Sequence, residues 1–159
     1  YRGFGKSDGK ITSESDIYND IQIVYDSIKT MYSEENIVVI GNSIGTGPAT
    51  YLSSKNNPKL LILQAPYYNM ADLVRKKFKV VPGFLLKYKF TTNKFITYVK
   101  SPVIIFHGDA DEVIYLGSSI KLKELFKPGD KLIVLNDQGH NGINSNPEYR
   151  KEIKVLLNW

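Results

Sequence analysis

One serine in the sequence stands in a pattern that suits a nucleophile. Ser43 lies in the run Gly41-Asn42-Ser43-Ile44-Gly45, which follows an apolar stretch and precedes a predicted helix. A nucleophile on a tight strand-to-helix turn needs small residues two positions before and after it, because only then can the chain close. Such a turn would lift the hydroxyl above the sheet and point the backbone N–H of Ile44 at a developing oxyanion. The pattern alone is also compatible with an ordinary loop or a phosphate-binding turn.

The sequence contains two histidines, and one of them suits the general base that a serine nucleophile requires. His140 lies in the glycine-rich loop 137–142, after the last predicted strand. Active sites of parallel sheets form at the carboxyl edge of the strands, so we expect His140 on the same side as Ser43. A surface histidine without a role is the alternative. His107 ends a buried strand before Gly108, and we expect it to be structural.

Three acids follow His107 in the next loop, namely Asp109, Asp111 and Glu112. A serine–histidine pair needs one carboxylate to orient the imidazole and to stabilise its charged form. We predict that Asp111 has this role, with Asp109 as the alternative, and that Glu112 faces solvent. Each of the three could instead be a helix-start acid without a catalytic role.

The elements that must position these side chains follow from the hydrophobic periodicity. Apolar runs predict strands at 37–40, 60–63, 103–106 and 131–135. The first three read as strands buried on both faces and the fourth as more exposed. The predicted helices cover 13–32, 44–54, 115–126 and 147–159. Strands that alternate with helices indicate βαβ units, and so a three-layer α/β/α fold with a mostly parallel sheet.

The segment 67–100 is too long for one crossover helix, and we predict that it is a mostly helical cap inserted into a single domain, 1–159. It carries eight basic residues against one acid, Asp72, and eight of the nineteen aromatic residues. Three interpretations stay open. The segment could be a solvated lid, or it could dock on a membrane surface or an anionic lipid-like substrate. Nucleic-acid binding is the third, and no recognised motif supports it, so we expect no nucleic-acid partner.

The composition excludes several kinds of site. The chain has no cysteine, so disulfides, thiol catalysis and thiolate metal sites are excluded. Two histidines after separate strands make a poor zinc site, and we expect neither a metal nor a cofactor. No apolar run approaches the roughly 18 residues of a membrane span. We expect a cytoplasmic protein.

Jointly, these motifs resemble those of the α/β-hydrolase superfamily. Its members carry their nucleophile, acid and base in the chain order seen here for Ser43, Asp111 and His140. The opening run Tyr1-Arg2-Gly3-Phe4-Gly5-Lys6-Ser7-Asp8-Gly9 is similar to the loop after the family's fourth strand. His-Gly-x-x-Asp-x-x-Ile resembles its acid loop, and Gly-His-Asn resembles its histidine loop. Within the superfamily, the motifs resemble those of the serine aminopeptidase-like, lysophospholipase-like and prolyl-oligopeptidase-like hydrolases.

The resemblance implies cleavage of an ester, thioester or amide through an acyl-enzyme, in the manner of a carboxylesterase or lipase. The substrate would be a small-molecule or lipid-like acyl compound. The resemblance also implies an amino-terminal truncation, because the family's first strands and its second oxyanion donor have no counterpart here. We therefore expect an open strand edge at 37–40 and one oxyanion donor, Ile44. The alternative is a hydrolase-like scaffold without turnover that acts as a binding or interaction module.

Overall fold

The computed structural model of the chain describes residues 2–77 and 86–157. Four strands run through these residues, each separated from the next by helix. The elements are α1 (Glu14–Lys29), β1 (Val38–Asn42), α2 (Thr46–Lys55), β2 (Leu60–Gln64), α3 (Met70–Lys77), α4 (Thr92–Phe95), β3 (Val103–Gly108), α5 (Gly117–Lys123), β4 (Lys131–Leu135) and α6 (Pro147–Leu157).

The four strands form one parallel sheet in the order β1-β2-β3-β4. The last residues of neighbouring strands are in register: Asn42 pairs with Gln64, and Gly108 pairs with Leu135. All four carboxyl ends therefore lie at one edge of the sheet. The predicted parallel α/β architecture is confirmed.

Helices cover both faces of the sheet because the side chains of its central strands alternate. Leu61 and Leu63 of β2 point to one face, where they pack in a cluster with residues of α2 and α5. Leu60 and Ile62 point to the other face and pack with Tyr149 of α6. These strand side chains are almost fully removed from water. The result is the three-layer arrangement that the sequence predicts.

The sequence overestimates the burial of β1. In the described part of the chain, β1 pairs only with β2, and the side chain of Ile40 is 52% exposed. The prediction that this strand is buried on both faces is therefore wrong. A β-branched run also suits a strand that, like β1 in the described residues, is hydrogen-bonded to a neighbouring strand on one side. Helix α5 is also shorter than the predicted 115–126, because bonds from Leu125 and Phe126 to carbonyls three residues back tighten its last turn.

The basic segment 67–100 contributes to the core as well as to the surface. Phe90, Ile96 and Val99 are buried against the helices that cover the sheet. At the start of the segment, Asp72 of α3 accepts hydrogen bonds from the Tyr115 hydroxyl and the Lys121 ammonium group. Burial alone would raise the pKa of Asp72, but these hydrogen bonds outweigh burial and lower it. The first part of the segment is thus bound to the loop that follows β3 and to α5.

The middle of this segment, 78–85, lies outside the described residues, and so does Lys79. The predicted cap is therefore described only over 67–77 and 86–100. Within residues 2–77 and 86–157, no helix is long and apolar enough to cross a membrane.

Candidate active site

Ser43 stands on a strained turn between β1 and α2. Its backbone φ is +49°, a left-handed conformation that residues with a Cβ rarely adopt. A single 3₁₀ turn, Ser43–Gly45, leads directly into α2. A Cβ at Gly41 would lie 2.7 Å from the Cβ of Ala49, so glycine is required where α2 crosses the strand. The sharp strand-to-helix turn expected from the sequence is therefore present.

The structure brings Ser43, His140 and Asp111 together. The Ser43 Oγ lies 2.8 Å from the His140 Nε2, and the His140 Nδ1 lies 2.7 Å from the Asp111 Oδ2. A carboxylate only accepts hydrogen bonds, so Nδ1 carries the proton and Nε2 presents a lone pair to the hydroxyl. This tautomer is the one that a general base for Ser43 needs.

The backbone of the acid loop orients the carboxylate of Asp111. Its Oδ1 accepts the N–H groups of Val113 and Ile114, each at 2.8 Å, which leaves Oδ2 for His140. The side chain of Asp111 is fully buried. Asp109 and Glu112 are exposed, and in this structure it is Asp111 that contacts the imidazole.

His107 is a buried histidine that lies beside this carboxylate. Its Nε2 lies 2.8 Å from the Ile114 carbonyl oxygen. Because a carbonyl can only accept a hydrogen bond, Nε2 carries the proton. The Nδ1 atom therefore accepts a hydrogen bond from the Ser119 hydroxyl at 2.6 Å. The same Nε2 is 3.5 Å from the Asp111 Oδ2. Burial lowers the pKa of His107 below its ordinary value. These contacts agree with the structural role expected from the sequence.

Gln138 ties the histidine loop to the acid loop, which the sequence motifs do not reveal. Its carbonyl accepts the N–H of Ala110 at 3.2 Å, and its side-chain amide donates to the carbonyls of Gly139 and Asn141, both at 2.8 Å. A Cβ at Gly108 would lie 1.9 Å from the same Gln138 carbonyl oxygen. Only glycine at position 108 allows the two loops to meet this closely.

A second group of hydrogen bonds that the sequence does not predict lies beside the turn that carries the nucleophile. The side-chain oxygen of Gln64, at the end of β2, accepts a hydrogen bond from the Asn42 side-chain amide at 3.0 Å. Its own amide donates to the Asn144 Oδ1 and the Tyr149 hydroxyl, both at 2.7 Å. The residue before Ser43 is thereby connected to the chain that follows the histidine loop.

Among residues 2–77 and 86–157, no group of three or more His, Asp or Glu side chains is arranged to hold a metal ion.

An apolar cavity of about 770 Å³ lies next to Ile44. Its walls come from the opening loop, from the amino ends of α1 and α2, and from the chain after residue 86. The apolar lining residues are Phe4, Ile11, Ile17, Ile44, Pro48 and Phe90. Two cations also line the cavity: Arg2, which is paired with Asp20, and Lys10. The backbone N–H of Ile44 lies in the first turn that leads into α2, where N–H groups have no acceptor within the helix.

Comparisons with known proteins agree with this fold. Residues 1–98 match the family described as serine aminopeptidase, S33. The chain is 31% identical to alpha/beta hydrolase domain-containing protein 17C of Mus musculus, over 99% of this chain and 48% of the relative. The human protein of the same name is also 31% identical, over 99% and 47%. The chain thus spans about half the length of the curated relatives it matches.

Two solved structures illustrate the similarity of fold. An esterase from Pyrococcus furiosus has a TM-score of 0.76 at 20% identity, over 99% of this chain and 67% of that one. A monoacylglycerol lipase from Paleococcus ferrophilus has a TM-score of 0.71 at 15% identity, over 99% and 81%. Since the matched family model covers more than half of the chain, the chain belongs to the serine aminopeptidase S33 family of α/β-hydrolases.

Proposed function

We propose that this chain carries the catalytic centre of a serine hydrolase that cleaves an ester, thioester or amide through an acyl-enzyme. The observation that carries the proposal is the continuous contact from the Ser43 hydroxyl through His140 to Asp111, at 2.8 and 2.7 Å. Both distances are those of good hydrogen bonds, so the proton can leave the hydroxyl as it attacks.

In the first half of the reaction, the Ser43 Oγ attacks the carbonyl carbon of the substrate while His140 Nε2 takes its proton. The tetrahedral intermediate carries its negative charge on the former carbonyl oxygen, and the N–H of Ile44 donates to it. The imidazolium then gives its proton to the leaving alcohol, thiol or amine. Asp111 holds the ring in place and stabilises its positive charge.

In the second half, a water molecule replaces the leaving group. His140 takes a proton from this water as it attacks the acyl carbon of Ser43, and then returns the proton to the serine oxygen. The products are a carboxylic acid and the free enzyme. No metal or cofactor takes part in this sequence of steps.

The cavity beside Ile44 favours an apolar acyl group. Its walls are mostly hydrophobic, and Ile44 and Pro48 belong to the turn and helix that carry the nucleophile. Burial of an acyl chain there would contribute about 0.8 kcal/mol per CH₂ group. The names of two structural neighbours, an esterase and a monoacylglycerol lipase, are consistent with an activity of the carboxylesterase or lipase kind.

The test compares Ser43→Ala with Ser54→Ala in the full-length protein, using a short-chain p-nitrophenyl ester and a fluorophosphonate probe. Ser54 lies in α2, and its hydroxyl bonds only the Tyr51 carbonyl among the hydrogen bonds described, so its variant is a matched control. We expect Ser43→Ala to lose at least about a thousandfold in turnover and all labelling, since it removes the attacking atom.

Ser54→Ala should react like the wild type. Turnover that persists within tenfold in a folded Ser43→Ala protein would overturn the assignment of the nucleophile. A wild-type protein that neither turns over esters nor reacts with the probe would favour the alternative, a hydrolase-like scaffold that binds without catalysis.

A further inference from the structure

Two buried hydroxyl groups hold the backbone on which the Ile44 N–H is carried. The peptide between Ser43 and Ile44 is planar, so the direction of its carbonyl fixes the direction of its N–H. The Thr46 Oγ1 donates to this Ser43 carbonyl at 2.7 Å, and Thr46 is fully buried. The backbone N–H of Thr46 donates to the same oxygen. The carbonyl is thus held by a side chain as well as by the helix.

The next peptide, between Ile44 and Gly45, is held by a tyrosine. The Tyr67 hydroxyl donates to the Ile44 carbonyl at 3.1 Å and accepts the N–H of Gly47 at 3.1 Å. Tyr67 is fully buried. A Cβ at Gly47 would lie 2.1 Å from the Tyr67 hydroxyl oxygen, so glycine at this position makes room for the tyrosine. Two successive peptides after the nucleophile are therefore fixed by side-chain hydroxyls.

A strained turn after β2 brings Tyr67 to this place. Ala65 is fully buried and has a φ of +49°, which is unfavourable for a residue with a Cβ. Its N–H is retained in the sheet, where it donates to the Phe106 carbonyl at 2.8 Å. The chain leaves the sheet abruptly at this point, and Tyr67 follows two residues later beneath the turn that carries Ser43. Strain of this kind persists where the surrounding structure determines it.

We propose that Thr46 and Tyr67 are positioning residues that aim the Ile44 N–H at the oxyanion. The inference rests on the proposed hydrolase function and assigns a role to two residues that the catalytic steps above do not use. A donor that is already oriented does not need to reorganise as charge develops in the transition state. The hydrogen bond from Thr46 to the Ser43 carbonyl also polarises the peptide that carries the Ile44 N–H and strengthens this N–H as a donor. Both side chains act through the backbone.

The test uses variants of the full-length protein that remove one hydroxyl at nearly constant shape. Thr46→Val and Tyr67→Phe are the test variants, and Thr46→Ser restores a hydroxyl at position 46. Thr50→Val is the matched control, because Thr50 is also fully buried in α2 and its hydroxyl donates to the Thr46 carbonyl at 2.7 Å. In Thr46→Val the Ser43 carbonyl keeps its backbone N–H partner, so the protein should still fold.

We expect Thr46→Val and Tyr67→Phe each to lower kcat about tenfold to a hundredfold with little change in KM, which is less than the loss of a whole oxyanion donor. Affinity for a trifluoromethyl ketone, which mimics the tetrahedral intermediate, should fall by the same factor as kcat/KM. Thr46→Ser should recover most of the activity. Thr50→Val should keep the kcat and the inhibitor affinity of the wild type.

The inference is overturned if Thr50→Val loses as much kcat as the test variants, or if the test variants keep wild-type kcat and inhibitor affinity. The rate at which a fluorophosphonate labels Ser43 provides a second measurement that does not need turnover. If the probe labels the wild type and labels the test variants equally fast, this inference is contradicted and the proposed function is not. A wild type that shows neither turnover nor labelling contradicts the proposed function, and this inference with it.

Discussion

At the scale of single residues, the carboxylate of Asp111 shows how backbone groups select one arrangement of the site. Two N–H groups bind one of its oxygens, so only the other oxygen can face His140. The histidine is thereby held in the tautomer that leaves Nε2 free to accept the serine proton. The oxygen that faces away from His140, Oδ1, is bound by backbone groups of the loop.

We expect Asp111→Asn to lower kcat by about 10⁴-fold. The N–H groups of Val113 and Ile114 would keep the amide oxygen in the Oδ1 position, so the amide nitrogen would face His140. The histidine would then have to accept at Nδ1 and carry its proton at Nε2, where it could not act as a base. Asp109→Asn is the control, since Asp109 is exposed, and it should retain most of the activity. If Asp109→Asn loses more activity than Asp111→Asn, the choice of acid is wrong.

His107 should make the folded state sensitive to mild acid. Burial lowers the pKa of His107 below its ordinary value of 6.5, so the unfolded chain binds this proton more readily than the folded one does. Stability should therefore fall as the pH drops below about 6.5 towards the native pKa. His107→Gln removes this titration and retains an N–H group for the Ile114 carbonyl.

The measurement for this prediction is the urea midpoint of both proteins at pH 8.5, 7.5 and 5.5. The wild type should lose more stability than His107→Gln between pH 7.5 and 5.5. Above pH 7.5 the difference between the two proteins should not change. Equal losses in the acid range would show that His107 is not the group responsible.

At the scale of elements, the carboxyl ends of β3 and β4 are joined by close backbone contact. Gly108 ends β3 against the carbonyl of Gln138, and Ala110 donates to that same carbonyl. Asp111 is the residue after Ala110, and His140 lies two residues after Gln138. The spacing between the acid and the base therefore depends on a glycine that lies outside the catalytic residues.

We expect Gly108→Ala to destabilise the protein by about 1–3 kcal/mol and to reduce turnover, because the new methyl group forces the two loops apart. Gly139→Ala is the matched control for stability, since the nearest atom to a Cβ there is 4.0 Å away. Urea unfolding and ester turnover check both effects. Similar stability in the two variants would mean that the loops can separate without cost.

The sequence predicts those elements whose signals are local. The turn at Ser43 and the four strands follow from glycine spacing and from apolar runs, and the structure contains them. The contacts of Tyr67, Gln64 and Gln138 could not be predicted, because each joins elements that are far apart in the chain and has no periodicity. The misjudged burial of β1 has a related cause. A β-branched run reveals a strand, but its place in the sheet order depends on the rest of the fold.

At the scale of the whole molecule, the positive charge is concentrated on one segment. Arg75, Lys76 and Lys77 are exposed at the end of α3. The one acid of the segment, Asp72, is already bound to Lys121. A concentrated and uncompensated patch of cations attracts anionic partners in a salt-dependent way. We propose that this segment favours anionic, lipid-like substrates or the surface of an anionic membrane.

We expect replacement of Lys76, Lys77 and Lys79 by Gln to weaken turnover of an anionic lipid-like ester and to spare a small neutral ester. The effect should be larger at low salt, since screening removes it. The matched control replaces three exposed lysines that lie outside the segment, namely Lys131, Lys151 and Lys154. Equal effects of the two triple variants, or equal effects on both esters, would leave the segment as a solvated lid.

The contact between Ser43 and His140 also has a consequence for folding. The two residues are 97 positions apart, and the next contact, between Asp111 and His140, spans 29 positions. Contacts of such long range form only after large chain loops have closed, which makes them late and cooperative events. A partly folded chain with an intact turn at Ser43 but an undocked β4 would have no base for its serine. Covalent labelling of Ser43 would therefore count the molecules in which all four strands have assembled, and could serve as a probe of complete folding.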